Sequence, residues 1–238
     1  MMQRQFEIEL DRLKQRVLTM AGLVEQSLDE VARALTARDA ELARRVIERD
    51  DEIDNLEIAI DREATQIIMR HQPLATDLRF VIVAIKLGPE LERIADNAVN
   101  IARNILEMRD RTPPRQIARM PRLLGLSRAM VTDAIAAYVA RDAVAAREVI
   151  DRDDEVDELY WTLFHEMLET MIDDGASIER GLSLILIARY AERIADQATN
   201  IGEEIVYLVE GKPIRHGGGS HAVDTDGSKN EGDEHHGA

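Results

Sequence analysis

Apolar positions recur every three or four residues over most of this chain. Between 5 and 37 they fall at Phe6, Leu10, Leu13, Val17, Met20, Val24, Leu28, Val31 and Leu35. That is the spacing of one buried face of an α-helix, and at about 1.5 Å per residue it predicts a helix approaching roughly 50 Å. A second helix is predicted from about Asp39, placed as its N-cap, to His71, burying Leu42, Val46, Ile53, Leu56, Ile60 and Ile67. Pro73 then turns the chain. A third runs from Ala75–Thr76 to about Met108, with a kink expected at Gly88-Pro89, because proline lacks the N–H and crowds the carbonyl four residues back. Thr112-Pro113-Pro114 separates the two halves. Beyond it the plan recurs. Helices are predicted over 114–140, over 142–173 with Asp142 as cap and a stop at Asp174-Gly175, and from Ser177 to Glu210, closing on Gly211.

The recurrence is also one of sequence. Residues 92–101 read Glu-Arg-Ile-Ala-Asp-Asn-Ala-Val-Asn-Ile, and 192–201 read Glu-Arg-Ile-Ala-Asp-Gln-Ala-Thr-Asn-Ile, an offset of 100. The stretch from Arg38-Asp39-Ala40 through Asp50-Asp51-Glu52-Ile53-Asp54 returns at 141–157 with an offset of 103. A fixed long period marks a duplicated structural unit. The expectation is an all-α fold of two tandem, pseudo-symmetric three-helix bundles, residues 1–112 and 113–212. Residues 213–238 hold Gly, Ser, Asp, Glu and His with almost nothing apolar, too little to offset their ordering entropy, and are expected to be a disordered tail.

Composition narrows the function. Aromatic residues are only 3%, so the core must be Leu, Ile, Val and Ala. The formal charge of −16 argues against nucleic acid, whose phosphates need a basic face, and favours cations or basic protein surfaces. With no cysteine, disulfides and thiolate metal sites are excluded. Apolar runs such as Phe80–Ile85 are too short to cross a bilayer, and the first 30 residues lack a secretory signal, so a cytoplasmic protein is expected. One basic stretch stands out, with Arg109, Arg111, Arg115, Arg119, Arg122 and Arg128. It reads as a solvated turn and helix start, or as a docking site for an acidic partner or lipid head groups.

The candidate chemistry lies in acidic pairs. Residues four apart on a helix sit about 40° apart in projection, so Glu92 and Asp96 share a face, as do Glu192 and Asp196. By the helical period both pairs point away from the apolar stripe of their own helix. The preceding helices carry Asp50 and Asp54, extended by Glu57 and Asp61, and in the second half Asp153 and Asp157, where the continuation changes to Tyr160 and Phe164. Hard or borderline cations take several carboxylate oxygens. The competing reading is a solvated acidic face laced with arginine. A Glu-x-x-His di-iron pattern is absent, since neither His71 nor His165 has a Glu three residues before it. No Gly-rich phosphate loop opens a helix. His71 and His165 read as surface or helix-end residues, and Trp161, Phe164 and Met167 as packing.

The doubled Glu-Arg-Ile-Ala-Asp motif, Asp77-Leu78-Arg79 after Pro73, and the ending Glu204-Ile205-Val206-Tyr207-Leu208-Val209-Glu210-Gly211 together resemble the PhoU family, accessory regulators of bacterial high-affinity phosphate uptake. The resemblance covers about residues 3–213. It implies two three-helix bundles and a non-enzymatic regulator, working as an adapter between the ATPase subunit of the phosphate ABC transporter and a phosphate-sensing histidine kinase, with starvation genes kept off when phosphate is ample. It also implies a homodimer, membrane association only through partners, and a multinuclear metal (Fe, Zn, Mn or Mg) held at Glu92, Asp96, Glu192, Asp196, Asp50, Asp54, Asp153 and Asp157. The sequence departs from the family where Gly-Asp-His is frequent: here stand Ala95-Asp96-Asn97 and Ala195-Asp196-Gln197. A carboxylate-rich metal-binding or metal-storage bundle is the alternative function.

Overall fold

A computed structural model describes residues 2–108 and 118–214. The division expected at 112/113, the arginines at 109, 111 and 115, and the tail from 215 with its histidines lie outside the described residues. Within them the chain is helical with no strand. Helices α1 (Met2–Ala37), α2 (Ala40–His71) and α3 (Ala75–Glu107) form the first bundle. The second contains α4 (Met120–Ala140), α5 (Ala143–Asp151), α6 (Asp153–Asp173) and α7 (Ile178–Glu210).

The helix ends are set by the residues that the sequence singled out. Asp39 caps α2, its Oδ1 accepting from the backbone N–H of Glu41 at 2.9 Å and of Leu42 at 3.2 Å. Asp142 caps α5 in the same way, from Val144 at 2.9 Å and Ala145 at 3.1 Å. Each cap satisfies donors that the first turn leaves open. Gly211 ends α7 in the left-handed region, at φ 72°. α3 runs unbroken through Pro89. α4 begins several residues later than its periodicity suggested, with Pro121 in its first turn, where a missing N–H costs nothing.

One helix expected to be continuous is not. The segment 142–173 breaks at Arg152, where the bonds tighten to three-residue spacing: Arg152 N–H to Val149 O at 3.2 Å, then Glu155 N–H to Arg152 O at 3.2 Å. The local sequence does not cause this, because 151–155 nearly repeats 48–52, where α2 runs on. The packing around the segment also differs. At Gly202 a Cβ would sit 3.0 Å from the Ala146 carbonyl oxygen, so α7 closes tightly on α5. Ala102, at the matching place on α3, carries that Cβ.

The two bundles share one core. Leu91, Ile94 and Ile101 of α3 and Leu184, Ile194 and Ile201 of α7 are fully buried in the same cluster. A fully buried Leu or Ile contributes about 1.5–3 kcal/mol relative to an exposed one. Phe80 of α3 stacks on Tyr138 of α4, with ring centroids 5.9 Å apart. α3 and α7 lie antiparallel along their length. Arg79 Nε donates to Leu208 O at 3.3 Å, Lys86 Nζ pairs with Glu204 at 2.7 Å, Asn200 donates to Glu90 at 3.2 Å, and Asn97 Nδ2 donates to Gln197 Oε1 at 3.2 Å. The last contact joins the two copies of one repeat position, so the pseudo-twofold axis passes beside it. α4 is more apolar than its longest uninterrupted run suggests, since Arg122, Arg128 and Asp133 divide it. It is long and apolar enough, by length and composition, to cross a membrane. Here its apolar side chains, among them Leu123, Val131 and Tyr138, are spent on the core.

The close approach at Gly202 gives a stability prediction. Gly202→Val should lower unfolding free energy by about 1–3 kcal/mol through overpacking against α5. Gly22→Ala, on the exposed side of α1 with nothing within 4 Å, should raise it by about 0.5–1 kcal/mol. Urea denaturation of both variants checks the pair; equal effects would mean that the α5–α7 contact is loose.

Candidate functional site

The duplicated motif sits on α3 and α7, and each copy faces the preceding helix of its own bundle. In the first bundle Asp50 and Asp54 of α2 lie across the seam from Glu92 and Asp96 of α3. Burial holds the Asp50 carboxyl above its ordinary range, and Asp54 and Asp96 push it further the same way, opposed by Arg103. Glu92 is raised by burial first, then by Asp96 and Asp54, with Arg93 opposing and Glu57 adding to the rise. Carboxylates from two helices therefore share one field, as the spacing of the pairs suggested.

The second seam is tighter. Glu192 is only 8% exposed. Burial raises its carboxyl to about 7, helped by Asp196, opposed by Arg189, and raised again by Asp157 and Asp153. Asp196 is raised by burial and then by Asp157, against Arg189 and Arg193. This corrects the expectation that the second pair points outward. The helical period places Glu192 opposite one apolar stripe, but α7 packs against α3, α4, α5 and α6 at once, and Glu192 is covered as well. Its Oε1 accepts from Arg189 Nη1 at 2.5 Å, while its buried Oε2 has no hydrogen-bond partner. Arg189 was not among the candidates, although its position three residues before Glu192 on one helix signals the pairing.

The two seams have diverged. Arg103 beside the first is matched by Glu203 beside the second. In the first, Glu57 adds another carboxylate; in the second, Tyr160 takes that place, under the Arg189 guanidinium at 5.8 Å. Among the described residues no group of three or more His, Asp or Glu side chains converges as metal ligands. The donor set nevertheless suits a hard or borderline cation: clustered carboxylates raised by mutual repulsion, and a buried carboxylate oxygen lacking a partner.

The remaining candidates have settled places. His71 closes α2, its Nε2 3.0 Å from Glu9 Oε2, enclosed rather than on the surface. His165 Nδ1 lies 2.7 Å from Trp161 O. Met167 is buried. Trp161, read as packing, does lie against the Tyr160 and Phe164 rings, at 5.3 and 5.5 Å between centroids, yet is 40% exposed. The described part of the basic stretch is paired with acids: Arg119 with Glu166, Arg122 with Glu155 at 3.2 Å, and Arg128 with Asp29 at 3.4 Å.

Comparison with known proteins gives a consistent result. The sequence profile of the PhoU domain matches residues 17–105 and again 120–205. A phosphate-specific transport system accessory protein PhoU homolog of Pseudomonas putida is 38% identical over 216 residues, 90% of this chain and 84% of that protein. The accessory protein PhoU of Escherichia coli strain K12 is 36% identical, over 90% of this chain and 89% of its own length. The crystal structure of PhoU from Pseudomonas aeruginosa superposes with a TM-score of 0.85 at 36% identity, covering 87% of this chain and all of that one, 100%.

The electrostatics of Glu192 yield a pH dependence. Its folded-state value of about 7 lies above the ordinary 4.5. The folded protein therefore keeps a proton that the unfolded chain releases, and stability falls as pH rises from about 4.5 through about 7, by roughly 3 kcal/mol if this group acted alone. Glu192→Gln, measured in chelator, should match the parent near pH 4 and exceed its stability at pH 8. Urea unfolding of both proteins across that range decides it; parallel curves would mean that Glu192 titrates normally.

Proposed function

Since this chain belongs to the PhoU family, we propose that it is a cytosolic regulator of phosphate uptake and of phosphate-starvation signalling. It acts as an adapter, binding the ATPase subunit of the phosphate ABC transporter on one side and a sensor histidine kinase on the other, and restrains the starvation response when phosphate is ample. The single observation that carries this reading is the double domain match, together with relatives that are themselves named accessory proteins of the phosphate-specific transport system. The physical form fits the task. The helices share one core and turn polar faces outward, and such faces recognise partner segments by shape and charge. Homodimerisation belongs to the same reading.

The test is capture of the purified transporter ATPase and the purified kinase by this protein, with and without chelator. Binding of both supports the adapter; binding of neither, in either condition, removes it.

A metal role is the second reading, favoured by the buried Glu192 oxygen without a partner and by the repulsion within each seam. Glu192, Asp196, Asp153 and Asp157 would hold a cation in the second bundle, and Glu92, Asp96, Asp50 and Asp54 in the first. The cation, one of Fe, Zn, Mn or Mg, would supply positive charge that relieves the repulsion and ties neighbouring helices together. A ligand that binds only the folded state adds about 2.7 kcal/mol at a hundred times its dissociation constant.

Replacing Asp96→Asn together with Asp196→Asn should remove most metal-dependent stabilisation and leave the metal-free protein unchanged or slightly more stable. Thermal melts with each metal against chelator measure this. If both proteins shift equally, or by less than about 0.5 kcal/mol, the seams are solvated acidic faces.

A further inference from the structure

The divergence between the seams continues beyond the acids. On α6, Val156, Tyr160, Leu163 and Met167 are buried, while Trp161, Leu168 and Ile172 form a separate exposed strip, roughly 110–150° round the helix from it. α7 comes close against α6 at Gly181, where a Cβ would lie 2.6 Å from the Met171 Sδ. Ile172 and Leu182, the next residue on each helix, therefore flank the crossing on its outer side, at 82% and 52% exposure, and Ile178 stands one turn before Leu182. At the other end Arg189 lies over Tyr160, next to Trp161. From Trp161 to Ile172 the seam is roughly 16 Å long, three turns of a docked helix. At the matching positions of the first bundle Asp61 stands for Phe164 and Thr65 for Leu168, while Ile58 and Met69, which match Trp161 and Ile172, are exposed there as well. The second bundle's strip is thus apolar at two positions where the first bundle is polar.

The rim says what covers it. Glu158, Glu169 and Asp173 on α6 and Glu179 on α7 are exposed around the apolar strip. A second copy docked through the same strip would set this acidic rim against its own like charges. We propose that the outer seam of α6 and α7, from Trp161 to Leu182, is the docking groove for an amphipathic helix of a partner protein that carries Lys or Arg beside its apolar stripe. The proposal rests on the adapter reading and names the face through which it works. The partner's apolar side chains fill the strip between α6 and α7, and its cations meet the acidic rim.

Trp161 is the chain's single tryptophan, which makes it a built-in reporter. The probe is a synthetic helix with Leu at i, i+4, i+7 and i+11 and Lys on both flanks, set against a scrambled peptide and one with Glu in place of Lys. The Leu/Lys helix should shift Trp161 emission to the blue; the controls should not. Ile172→Glu with Leu182→Glu, and separately Glu169→Lys with Glu179→Lys, should weaken binding at least about tenfold while the helical circular dichroism and melting temperature hold. Variants that bind within about twofold of the parent, or a scrambled peptide that binds equally, overturn the groove. So does a dimer in sedimentation that the Ile172→Glu, Leu182→Glu variant loses, since the occupant is then a second copy. The purified ATPase and kinase separate the two levels. Equal capture by parent and variant overturns the groove and keeps the adapter reading. Capture of neither by the parent, with the peptide still bound, overturns the adapter reading and keeps the groove.

Discussion

The antiparallel packing of α3 on α7 is the contact on which the rest of this structure depends. It is an internal two-fold made from a duplicated sequence, and Asn97 bonding to Gln197 at 3.2 Å shows the two copies meeting at one repeat position. A partly buried polar pair adds little net stability but rejects alternatives, because a shift of either helix would leave its groups unpaired in a dry interface. Lys86 with Glu204 and Arg79 with the Leu208 carbonyl fix the same alignment further out. With α3 and α7 held, each bundle folds its remaining helices onto one side of a common core.

That arrangement decides the electrostatics. α7 is covered on several sides, so its Glu-xxx-Asp pair is drawn inward, whereas Asp96 in the first copy stays exposed. The same motif thus sits in two dielectric environments. Glu192 loses hydration and gains Asp196, Asp157 and Asp153 as neighbours, with one arginine to offset them. Glu92 keeps more water. A cluster of this kind in a chain already at −16 is a standing cost to the folded state. That repulsion is the physical feature on which the metal reading rests.

Much of the fold was legible in the sequence. The three-to-four-residue period, Asp39 and Asp142 as caps, and Gly211 as a stop are local: each acts through neighbours within one turn, so the sequence determined them without knowledge of the rest. The duplication and the candidate carboxylates were legible for the same reason, because spacing along one helix sets which side chains share a face. The tertiary structure alone decided three things. It broke 142–173 at Arg152, although nearly the same residues continue as helix in α2. It buried Glu192, because the surroundings of a helix face depend on every helix packed around it and periodicity reports only one stripe. It left Trp161, Ile172 and Leu182 on the outer seam. Hydrophobicity says that a side chain gains by leaving water; only the packed neighbours determine whether anything is there to receive it.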